Sequence, residues 1–218
     1  MSNTILNKHP YVDVFTYFFE SDLAPSASVP MYFSGTPPDE QPYIYFNTEQ
    51  LSRKYALNKL IREIVDKQPV EIWDYSETNV EILKQCGFLA KHIKIQSPTW
   101  YIERVKMWIA PEYDVGFCGS LSQRRTHILD EIKKAGISVH IVNQWGDVRD
   151  SELAKCRSIV NIHYANDYQI FEIARCEPWL SLGIPVVSET SLDNDERCIN
   201  VAYDKIVDEL VKMFRLKI

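Results

Sequence analysis

Short apolar runs alternate with longer segments of helical periodicity along most of this chain. Runs rich in β-branched and aromatic residues are typical of buried strands, whereas apolar residues spaced three and four apart are typical of helices. In the first half the pattern predicts strands at 43–46, 70–73 and 93–95, with helices at 51–65 and 77–86 between them. This alternation predicts a parallel sheet, because parallel strands need a long crossover connection.

The residues before this series follow a different pattern. Residues 13–19 are β-branched and aromatic and predict a strand, whereas residues 23–41 are rich in proline and serine and predict a loop. Because neither segment shows the regular alternation that follows, the first sheet is predicted mainly from the residues after position 42.

A second series of strands and helices begins after residue 112. Strands are predicted at 115–118, 139–142, 158–162 and 186–188. Helices are predicted at 122–135 and 152–156, in a segment that leads to Gly183, and at 202–217. The stretch 97–112 contains Pro98 and Pro111 and is predicted to be a connection.

The two series predict an α/β fold with two Rossmann-like parallel-sheet domains. We expect an N-terminal domain at 1–110 and a C-terminal domain at 111–218. Ligands of open parallel sheets bind at the carboxyl ends of the strands. Two such domains facing each other would hold a ligand in the cleft between them.

Charge and cysteine content narrow the functional classes. The 218 residues carry a formal net charge of −6, which argues against a nucleic-acid partner because phosphate binding needs an excess of Lys and Arg. Five cysteines without a C-x-x-C pair favour a reducing compartment, and no zinc-ligand spacing occurs. Residues 1–10 lack a signal-peptide pattern and no apolar run is long enough to span a membrane, so we expect a soluble, cytoplasmic protein.

Gly119 and Ser120 lie between a predicted strand and a predicted helix. Glycine lets a ligand approach the backbone closely, and a helix N-terminus presents free N–H groups. Arg124 and Arg125 follow in the first helical turn, where cations are unfavourable unless an anion compensates them. The pattern favours a phosphate site over a plain turn with two solvated arginines. Because the chain has neither a G-x-G-x-x-G nor a P-loop motif, NAD, FAD and P-loop nucleotide binding are not indicated.

The stretch 161–177 is dense in polar and aromatic residues and opens a predicted helix. A carboxylate such as that of Glu172 can accept hydrogen bonds from both hydroxyls of a ribose. Alternatively, Glu172 stabilises the helix start and forms an i,i+3 ion pair with Arg175. The residues alone leave both interpretations open. Pro178 is expected to break or kink the helix.

Two acidic residues of the first domain follow predicted strands. Glu49 and Asp74 are candidates for a general base that deprotonates an acceptor hydroxyl. The alternative is helix capping, in which Thr48 or Ser76 begins a helix beside an acid. The strand ending at Asp74 also fits a Rossmann-type methyltransferase, in which such an acid binds ribose, although no glycine-rich loop precedes it.

Five short motifs follow one another in the second half of the chain: Gly119-Ser120, Arg124-Arg125, Asn161-x-His163-Tyr164, Phe171-Glu172-x-x-Arg175 and the stretch 183–189. Together, over about residues 114–189, they resemble the donor-binding half of GT-B glycosyltransferases, in particular small bacterial and large-DNA-virus members. This resemblance implies two domains that face each other across a cleft, with a short N-terminal domain on the acceptor side. It also implies that the last helix packs at the junction of the domains.

The resemblance implies transfer of a hexose or deoxyhexose from a UDP-, GDP- or dTDP-sugar to the hydroxyl of a glycan or other acceptor. No cofactor and no essential metal are implied. The diphosphate would bind helix N-termini and basic side chains, Glu172 would hold the ribose, and strand ends near Asn143 would face the base. The implied donor-binding residues are Gly119, Ser120, Arg124, Arg125, Asn143, His163, Tyr164, Phe171, Glu172, Arg175 and Glu177, and the candidate catalytic residues are Glu49 and Asp74.

Two other glycosyltransferase motifs, E-x7-E and D-x-D, bear on this interpretation. The E-x7-E motif of many retaining GT-B families would require an acid at position 169, where this chain has Gln169, so the stereochemical outcome is not implied. Asp193-Asn194-Asp195 matches the D-x-D metal motif of the other glycosyltransferase fold, but a solvated loop is the favoured interpretation. The alternatives are a nucleotide-sugar-binding or regulatory module and a methyltransferase, and a homodimer stays open.

Overall fold

The structure is a computed structural model, and the residues described are 31–33 and 42–215. Contacts divide the chain into two compact units. The first unit runs to Gln96 and also includes Asp167–Ile170, whereas the second contains Ser97–Asn166 and the residues from Phe171 onward. Residues 97–110, which the sequence pattern assigns to the N-terminal domain, are therefore grouped with the second unit.

Within the described residues, the first unit contains a four-stranded parallel sheet. Its strands lie side by side in the order β1 (Met31–Phe33), β2 (Ile44–Asn47), β3 (Glu71–Asp74) and β4 (Lys91–His92). Helix α1 (Lys54–Lys67) connects β2 to β3, and helix α2 (Glu77–Gln85) connects β3 to β4. Asn47 and Asp74 lie opposite each other at the carboxyl ends of β2 and β3.

The apolar spacing of α1 explains the core of the first unit. Ala56, Leu60 and Ile64 recur every four residues and are the buried residues of this helix. Leu60 and Ile64 pack in one buried cluster with residues of the sheet and with Leu83 of α2. Burial of these side chains away from water stabilises the unit.

Three predictions in this half need correction or fall outside the structure. Met31–Phe33 forms a strand inside the segment predicted to be a loop, because it pairs with β2, a partner that the local pattern does not show. The last strand is β4, so the strand predicted at 93–95 begins and ends too late. The predicted strand at 13–19 lies outside the described residues.

Within the described residues, the second unit contains a five-stranded parallel sheet. Its strands are β5 (Tyr113–Cys118), β6 (Val139–Val142), β7 (Cys156–Asn161), β8 (Val186–Glu189) and β9 (Ile199–Val201). Its helices are α3 (Thr99–Lys106), α4 (Gln123–Lys134), α5 (Gly146–Leu153), α6 (Ile173–Ser181) and α7 (Ile206–Arg215), with a 3-10 turn at Tyr203–Lys205. The mixed α/β class and the parallel sheets are as predicted.

The strand order of the second unit is β6-β5-β7-β8-β9. From β5 the chain crosses to β6 on one side, and β7 then returns to the other side of β5. Such a reversal of direction is a topological switch point, and ligands of open parallel sheets bind beside it at the carboxyl ends of the strands. Cys118 and Asn161 end β5 and β7, so the turns that follow them flank this position.

Several predicted elements of the second unit are displaced. Helix α3 lies in the stretch predicted to be a connection and begins directly after Pro98, whose extended backbone precedes the first turn. Helix α5 occupies Gly146–Leu153 rather than 152–156, because Cys156 already belongs to β7. Strand β9 was not predicted from the sequence. Helix α6 continues through Pro178, so the predicted break is wrong.

The final helix packs on the second unit. The segment predicted as one helix at 202–217 is a 3-10 turn followed by α7. Ile206 and Leu210 of α7 are buried in the same cluster as Ile128, Leu129 and Ile132 of α4. Helix α7 contacts α4 and β8, and it therefore closes one face of the five-stranded sheet.

Gly116 in β5 provides a test of the packing of α5 on the sheet. A Cβ atom at this position would meet Cys156 Sγ and Leu153 Cδ2 at 2.9 Å and Ile159 Cδ1 at 3.0 Å. We expect Gly116→Ala to lower the free energy of unfolding by about 1–3 kcal/mol, because the added methyl group overpacks this contact. Urea denaturation measures the change. Leu153→Ala opens space, so the double variant should be less destabilised than the sum of the single variants, and simple additivity would contradict overpacking.

Candidate functional site

Gly119 follows β5 at the switch point and has a φ of +126°, a conformation that favours glycine. A Cβ atom on Gly119 would lie 2.9 Å from Arg175 Nη2 and 3.3 Å from Arg125 Nη1. Glycine therefore lets two guanidinium groups approach the backbone at the carboxyl end of β5. Ser120, the next residue, is exposed, and its carbonyl oxygen accepts a hydrogen bond from Arg125 Nη1 at 2.9 Å.

Ser122 caps α4 and connects it to the loop after β7. Its Oγ accepts a hydrogen bond from the backbone N–H of Arg125 at 3.2 Å, as expected of an N-cap residue. The same hydroxyl donates to the carbonyl oxygen of Tyr164 at 2.7 Å. The start of α4 and the loop after β7 are thereby held together at the two strand ends that flank the switch point.

Arg125 is 2% exposed and binds three parts of the site. Its Nε donates to the carbonyl oxygen of Ile162 at 2.8 Å and its Nη1 to that of Ser120. Its Nη2 lies 3.3 Å from Glu172 Oε1. A buried charge is tolerated only when it is paired and hydrogen-bonded, and these three acceptors satisfy that condition.

Arg124 lies beside Arg125 in α4 and is paired with the carboxylate of Glu189. Both terminal nitrogens donate to the carboxylate of Glu189 at the end of β8, one of them at 2.5 Å. Its Nε donates to Asn166 Oδ1 at 3.0 Å, and its guanidinium carbon lies 3.6 Å from the centre of the Tyr203 ring. The pair is bidentate and stacked, so the charge of Arg124 is held in one orientation.

Glu172 and Arg175 connect α6 to the same site. Glu172 pairs with Arg125 through Oε1 and with Arg175 through Oε2. Arg175 Nη1 also donates to Asn161 Oδ1 at 3.2 Å, at the end of β7. The i,i+3 ion pair considered from the sequence is therefore present, and it lies inside the site rather than on a solvated face.

Arg124, Arg125 and Arg175 form one group, called the arginine cluster below. Two carboxylates, those of Glu172 and Glu189, are paired with these three guanidinium groups. The five side chains therefore carry a surplus of one positive charge. Because they gather at the carboxyl ends of β5, β7 and β8, the arrangement suits an anionic ligand.

His163 is 5% exposed and belongs to the same loop. Its backbone N–H donates to Glu189 Oε2 at 3.0 Å, and its ring Nε2 lies 3.1 Å from Ser191 Oγ. Burial lowers the pKa of the His163 imidazole and outweighs the charges of Glu189 and Glu172, which act in the opposite direction. The ring is therefore a neutral, hydrogen-bonded part of the site near neutral pH.

Four further predicted donor-binding residues have different surroundings. Tyr164 is 38% exposed, with its ring centre 5.5 Å from the Arg125 guanidinium carbon. Phe171 is buried, and Asn143 is exposed after β6. Glu177 is buried and binds Arg197 Nη2 at 2.7 Å and Ser181 Oγ at 2.6 Å. Glu177 thus has its own partners and is not paired with the arginine cluster.

Three residues of the site were not assigned as donor-binding from the sequence, although Asn161 and Glu189 belong to motifs that carry the resemblance. Asn161, Glu189 and Tyr203 each contact a member of the arginine cluster. Asn161 and Glu189 are polar residues at the carboxyl ends of predicted strands, which is the signal that would have identified them. Tyr203 precedes α7 and carries no comparable signal.

In the first unit, Asp74 is fully buried at the end of β3. It accepts hydrogen bonds from Asn47 Nδ2 at 2.6 Å, from the backbone N–H of Ser76 at 2.8 Å and from Asn79 Nδ2 at 3.1 Å. Both amide groups also donate to the carbonyl oxygen of Glu49, at 2.9 Å and 3.0 Å. Asp74 therefore anchors a buried polar network that holds the loop after β2.

Of the two residues considered from the sequence as helix caps, Ser76 caps a helix and Thr48 does not. Ser76 caps α2, because its Oγ accepts the backbone N–H of Asn79 at 3.2 Å. Thr48 does not cap α1, which begins at Lys54 without a side-chain cap. The side chain of Glu49 is half exposed and lies 3.6 Å from Arg53 Nη1.

The loop after β8 that contains the D-x-D pattern is folded on itself. Asn194 Oδ1 accepts the backbone N–H of Ser191, and Asp195 is paired with Arg197. Asp193 Oδ1 accepts the backbone N–H of Phe171 at 2.7 Å. Within residues 31–33 and 42–215, no group of three or more His, Cys, Asp or Glu side chains is arranged to hold a metal.

A buried charged cluster connects α3 to α5. Arg149 donates to Asp150 Oδ1 at 2.6 Å and to Oδ2 at 2.9 Å, and the Tyr101 hydroxyl also donates to Asp150. Burial, followed by the Asp150 charge, raises the pKa of the Tyr101 phenol well above its ordinary value. Burial raises the pKa of the Cys118 thiol at the end of β5, and the charges of Arg175 and Arg149 act against this effect.

Comparison with known proteins identifies relatives without an assigned activity. The chain is 34%, 36% and 35% identical to three uncharacterized proteins of Acanthamoeba polyphaga mimivirus, over 168, 149 and 178 residues. The aligned part covers 74%, 67% and 76% of this chain but only 17%, 20% and 57% of the relatives. No family model and no solved structure matches the chain.

Among the residues that the structure describes, none of the helices combines the length and the apolar composition needed to cross a membrane.

The network around Asp74 predicts a stability effect. We expect Asp74→Ala to lower the free energy of unfolding by about 2–4 kcal/mol, because it removes the acceptor of one N–H of each buried amide, those of Asn47 and Asn79, and of the backbone N–H of Ser76. Glu49→Ala, at a half-exposed position, should change stability by less than about 0.5 kcal/mol. Chemical denaturation compares the two variants. Wild-type stability of Asp74→Ala would show that this carboxylate does not hold the loop.

The lowered pKa of His163 predicts a dependence of stability on pH. Because the unfolded state binds a proton on this ring more readily than the folded state, its contribution is present above about pH 6.5 and is lost as the pH falls. Wild-type protein should therefore lose more stability than His163→Gln between about pH 7.5 and 5.5. Urea titrations at the two pH values measure this. His127→Gln, at an exposed position of α4, is the control, and equal losses in wild type and His163→Gln would contradict the prediction.

Proposed function

We propose that this chain is part of a glycosyltransferase whose second unit binds a nucleotide-sugar and whose first unit binds a hydroxyl acceptor. In this proposal the two units face each other across a cleft, as in the GT-B fold, and no metal or cofactor takes part. The observation that carries it is the arginine cluster beside Gly119, at the carboxyl ends of β5 and β7. This is where an open parallel sheet binds its ligand.

The chemistry of the arginine cluster suits a diphosphate. Guanidinium groups bind phosphate oxygens through pairs of parallel hydrogen bonds, and the N-terminus of α4, in the turn after Gly119, adds the positive end of its helix dipole. The surplus positive charge of the cluster favours an anionic ligand. In the proposed reaction this charge stabilises the diphosphate as it leaves the sugar.

Glu172 supplies the proposed ribose contact. Its carboxylate lies among the guanidinium groups, and its pairs with Arg125 and Arg175 hold it in one orientation. A ribose diol would donate both hydroxyls to this carboxylate. The partly exposed ring of Tyr164 offers a surface on which a base or sugar would stack.

Of the two acids in the first unit, Glu49 is the proposed general base. A base must reach the hydroxyl that it deprotonates, and the side chain of Glu49 is 50% exposed. Asp74 is instead enclosed by three hydrogen-bond donors. Through Asn47 and Asn79 it positions the backbone of Glu49, so its role in the proposal is to orient the base.

Two other functions would use these features differently. A nucleotide-sugar-binding or regulatory module would bind the same ligand without transferring the sugar. A methyltransferase would need Asp74 for a ribose, and the three donors already bound to that carboxylate argue against it. A glycan acceptor, a homodimer and a cytoplasmic location belong to the proposal as expectations.

Binding measurements on two variants test the proposal. We expect Arg124→Gln and Glu172→Gln each to weaken binding of UDP, GDP or dTDP by about 1–3 kcal/mol, the scale of a charged hydrogen bond. Isothermal titration calorimetry measures the affinities, with the nucleotide that the wild-type protein binds most tightly. Lys133→Gln removes a charge from the opposite end of α4 and is the matched control, which should bind like the wild type.

The other outcomes separate the alternatives. Unchanged affinity in both site variants would place the ligand elsewhere and contradict the proposed site. Stabilisation by S-adenosylmethionine alone in a thermal-shift screen would favour the methyltransferase. Nucleotide-sugar binding without release of the free nucleotide, in the presence of a range of glycan acceptors, would favour the binding module.

A further inference from the structure

The loop between β7 and α6 carries four of the candidate site residues and is divided between the two units. His163 and Tyr164 lie at its start, and Phe171 and Glu172 lie at its end. Its central residues, Asp167–Ile170, belong to the first unit. The backbone that leads directly into Glu172 is thus fixed by contacts from two distant parts of the chain.

The first contact comes from Gln50, in the loop after β2. Gln50 is 5% exposed, and its Oε1 accepts the backbone N–H of Ile170 at 3.0 Å. Ile170 itself is fully buried. This hydrogen bond is shielded from water, so the loss of its acceptor would leave a buried N–H group unsatisfied.

The second contact comes from Asp193, in the loop after β8. Its Oδ1 accepts the backbone N–H of Phe171, the next residue along the chain, at 2.7 Å. A carboxylate that accepts a backbone N–H forms one of the stronger hydrogen bonds in proteins. Asp193, which the sequence singled out within a metal-binding pattern, therefore has a backbone partner beside the site.

These two bonds hold the backbone N–H groups of Ile170 and Phe171, the two residues that precede Glu172. The neighbouring contacts of the segment are weaker or more exposed: Ser52 bonds the backbone of Asp167 and Gln169 at the surface, and Arg53 lies over the Tyr168 ring. Gln50 and Asp193 thus bond the backbone of the two residues that precede Glu172.

We infer that Gln50 and Asp193 are positioning residues that set the Glu172 carboxylate between Arg125 and Arg175. Glu172 is the N-cap residue of α6, and its side chain pairs with Arg125 and Arg175 instead of capping the helix, so the two residues before it set the backbone from which that carboxylate reaches both arginines. If either bond is lost, Glu172 and its two arginines sample more orientations, and a ligand must restore their order when it binds. The ligand in this inference rests on the proposed function, whereas the positioning of Glu172 does not.

A set of matched variants tests the inference in the full chain. Asp193→Leu and Gln50→Met keep approximate size but remove the acceptor, whereas Asp193→Asn keeps an oxygen that can accept the Phe171 N–H. Glu196→Gln, at an exposed position of the same loop as Asp193, is the control. Hydrogen–deuterium exchange of residues 170–172 is measured for each variant, together with the affinity for the nucleotide bound best by the wild type.

We expect Asp193→Leu and Gln50→Met to speed amide exchange at 170–172 and to weaken nucleotide binding about 3- to 10-fold, the scale of one net hydrogen bond. Asp193→Asn should restore both readouts close to wild-type values, which a merely destabilised protein would not show. The inference is overturned if exchange at 170–172 stays at the wild-type rate in Asp193→Leu, or if Asp193→Asn is as impaired as Asp193→Leu. Should Gln50→Met fail to fold, the Asp193 pair decides.

The two proposals fail in different ways. If the wild-type protein binds no nucleotide, the proposed function is wrong, and the exchange measurements alone then decide whether Gln50 and Asp193 fix the backbone before Glu172. If the wild-type protein binds nucleotide and Arg124→Gln weakens it, but exchange at 170–172 is the same in all variants, the proposed function stands and the positioning inference is wrong.

Discussion

The candidate site of the second unit depends on the hydrogen bonds and the ion pair of the buried Arg125 guanidinium. Arg125 is 2% exposed, so its charge must be satisfied inside the protein. Its acceptors are the carbonyl oxygens of Ser120 and Ile162, which follow the two strands at the switch point, and the carboxylate of Glu172. A single side chain thereby ties together the end of β5, the end of β7 and the start of α6. Any change in one of these segments has to be accommodated by the other two.

From Arg125 the ionic contacts extend across the sheet. Glu172 connects it to Arg175, which reaches Asn161 at the end of β7, and Asn161 Nδ2 in turn donates to Ser188 Oγ at 3.1 Å. Arg124 and Glu189 form a second pair beside this series. An anionic ligand would compete with two carboxylates for three arginines, so its binding would redistribute existing bonds as well as form new ones. The energy gained from an anion is then smaller than the number of arginines suggests.

The predictions from sequence succeeded where the signal is local. Alternating strands and helices predicted the two parallel sheets. The phosphate site predicted at Gly119, Arg124 and Arg125 stays a prediction, and the structure shows that these residues follow β5 at the switch point. The elements that were missed are short or defined by their partners: β1 is recognisable only through its pairing with β2, and β9 has three residues. The pairing of Arg124 with Glu189 joins residues far apart in the chain, so no local pattern reveals it.

Acidic residues show most clearly why the sequence could not assign roles. Glu172 precedes α6 and Glu177 lies in its middle, yet Glu172 is paired with the arginine cluster and Glu177 with Arg197. Which acid belongs to the site is decided by the side of the helix that each carboxylate occupies and by the cation it meets there, and both depend on packing. A surplus of guanidinium groups over carboxylates distinguishes the cluster around Glu172, since Arg197 is shared by Glu177 and Asp195 and leaves no positive charge for a ligand. The local excess of cations, rather than the presence of an acid, is therefore the criterion that separates a candidate anion site from a structural ion pair in this fold.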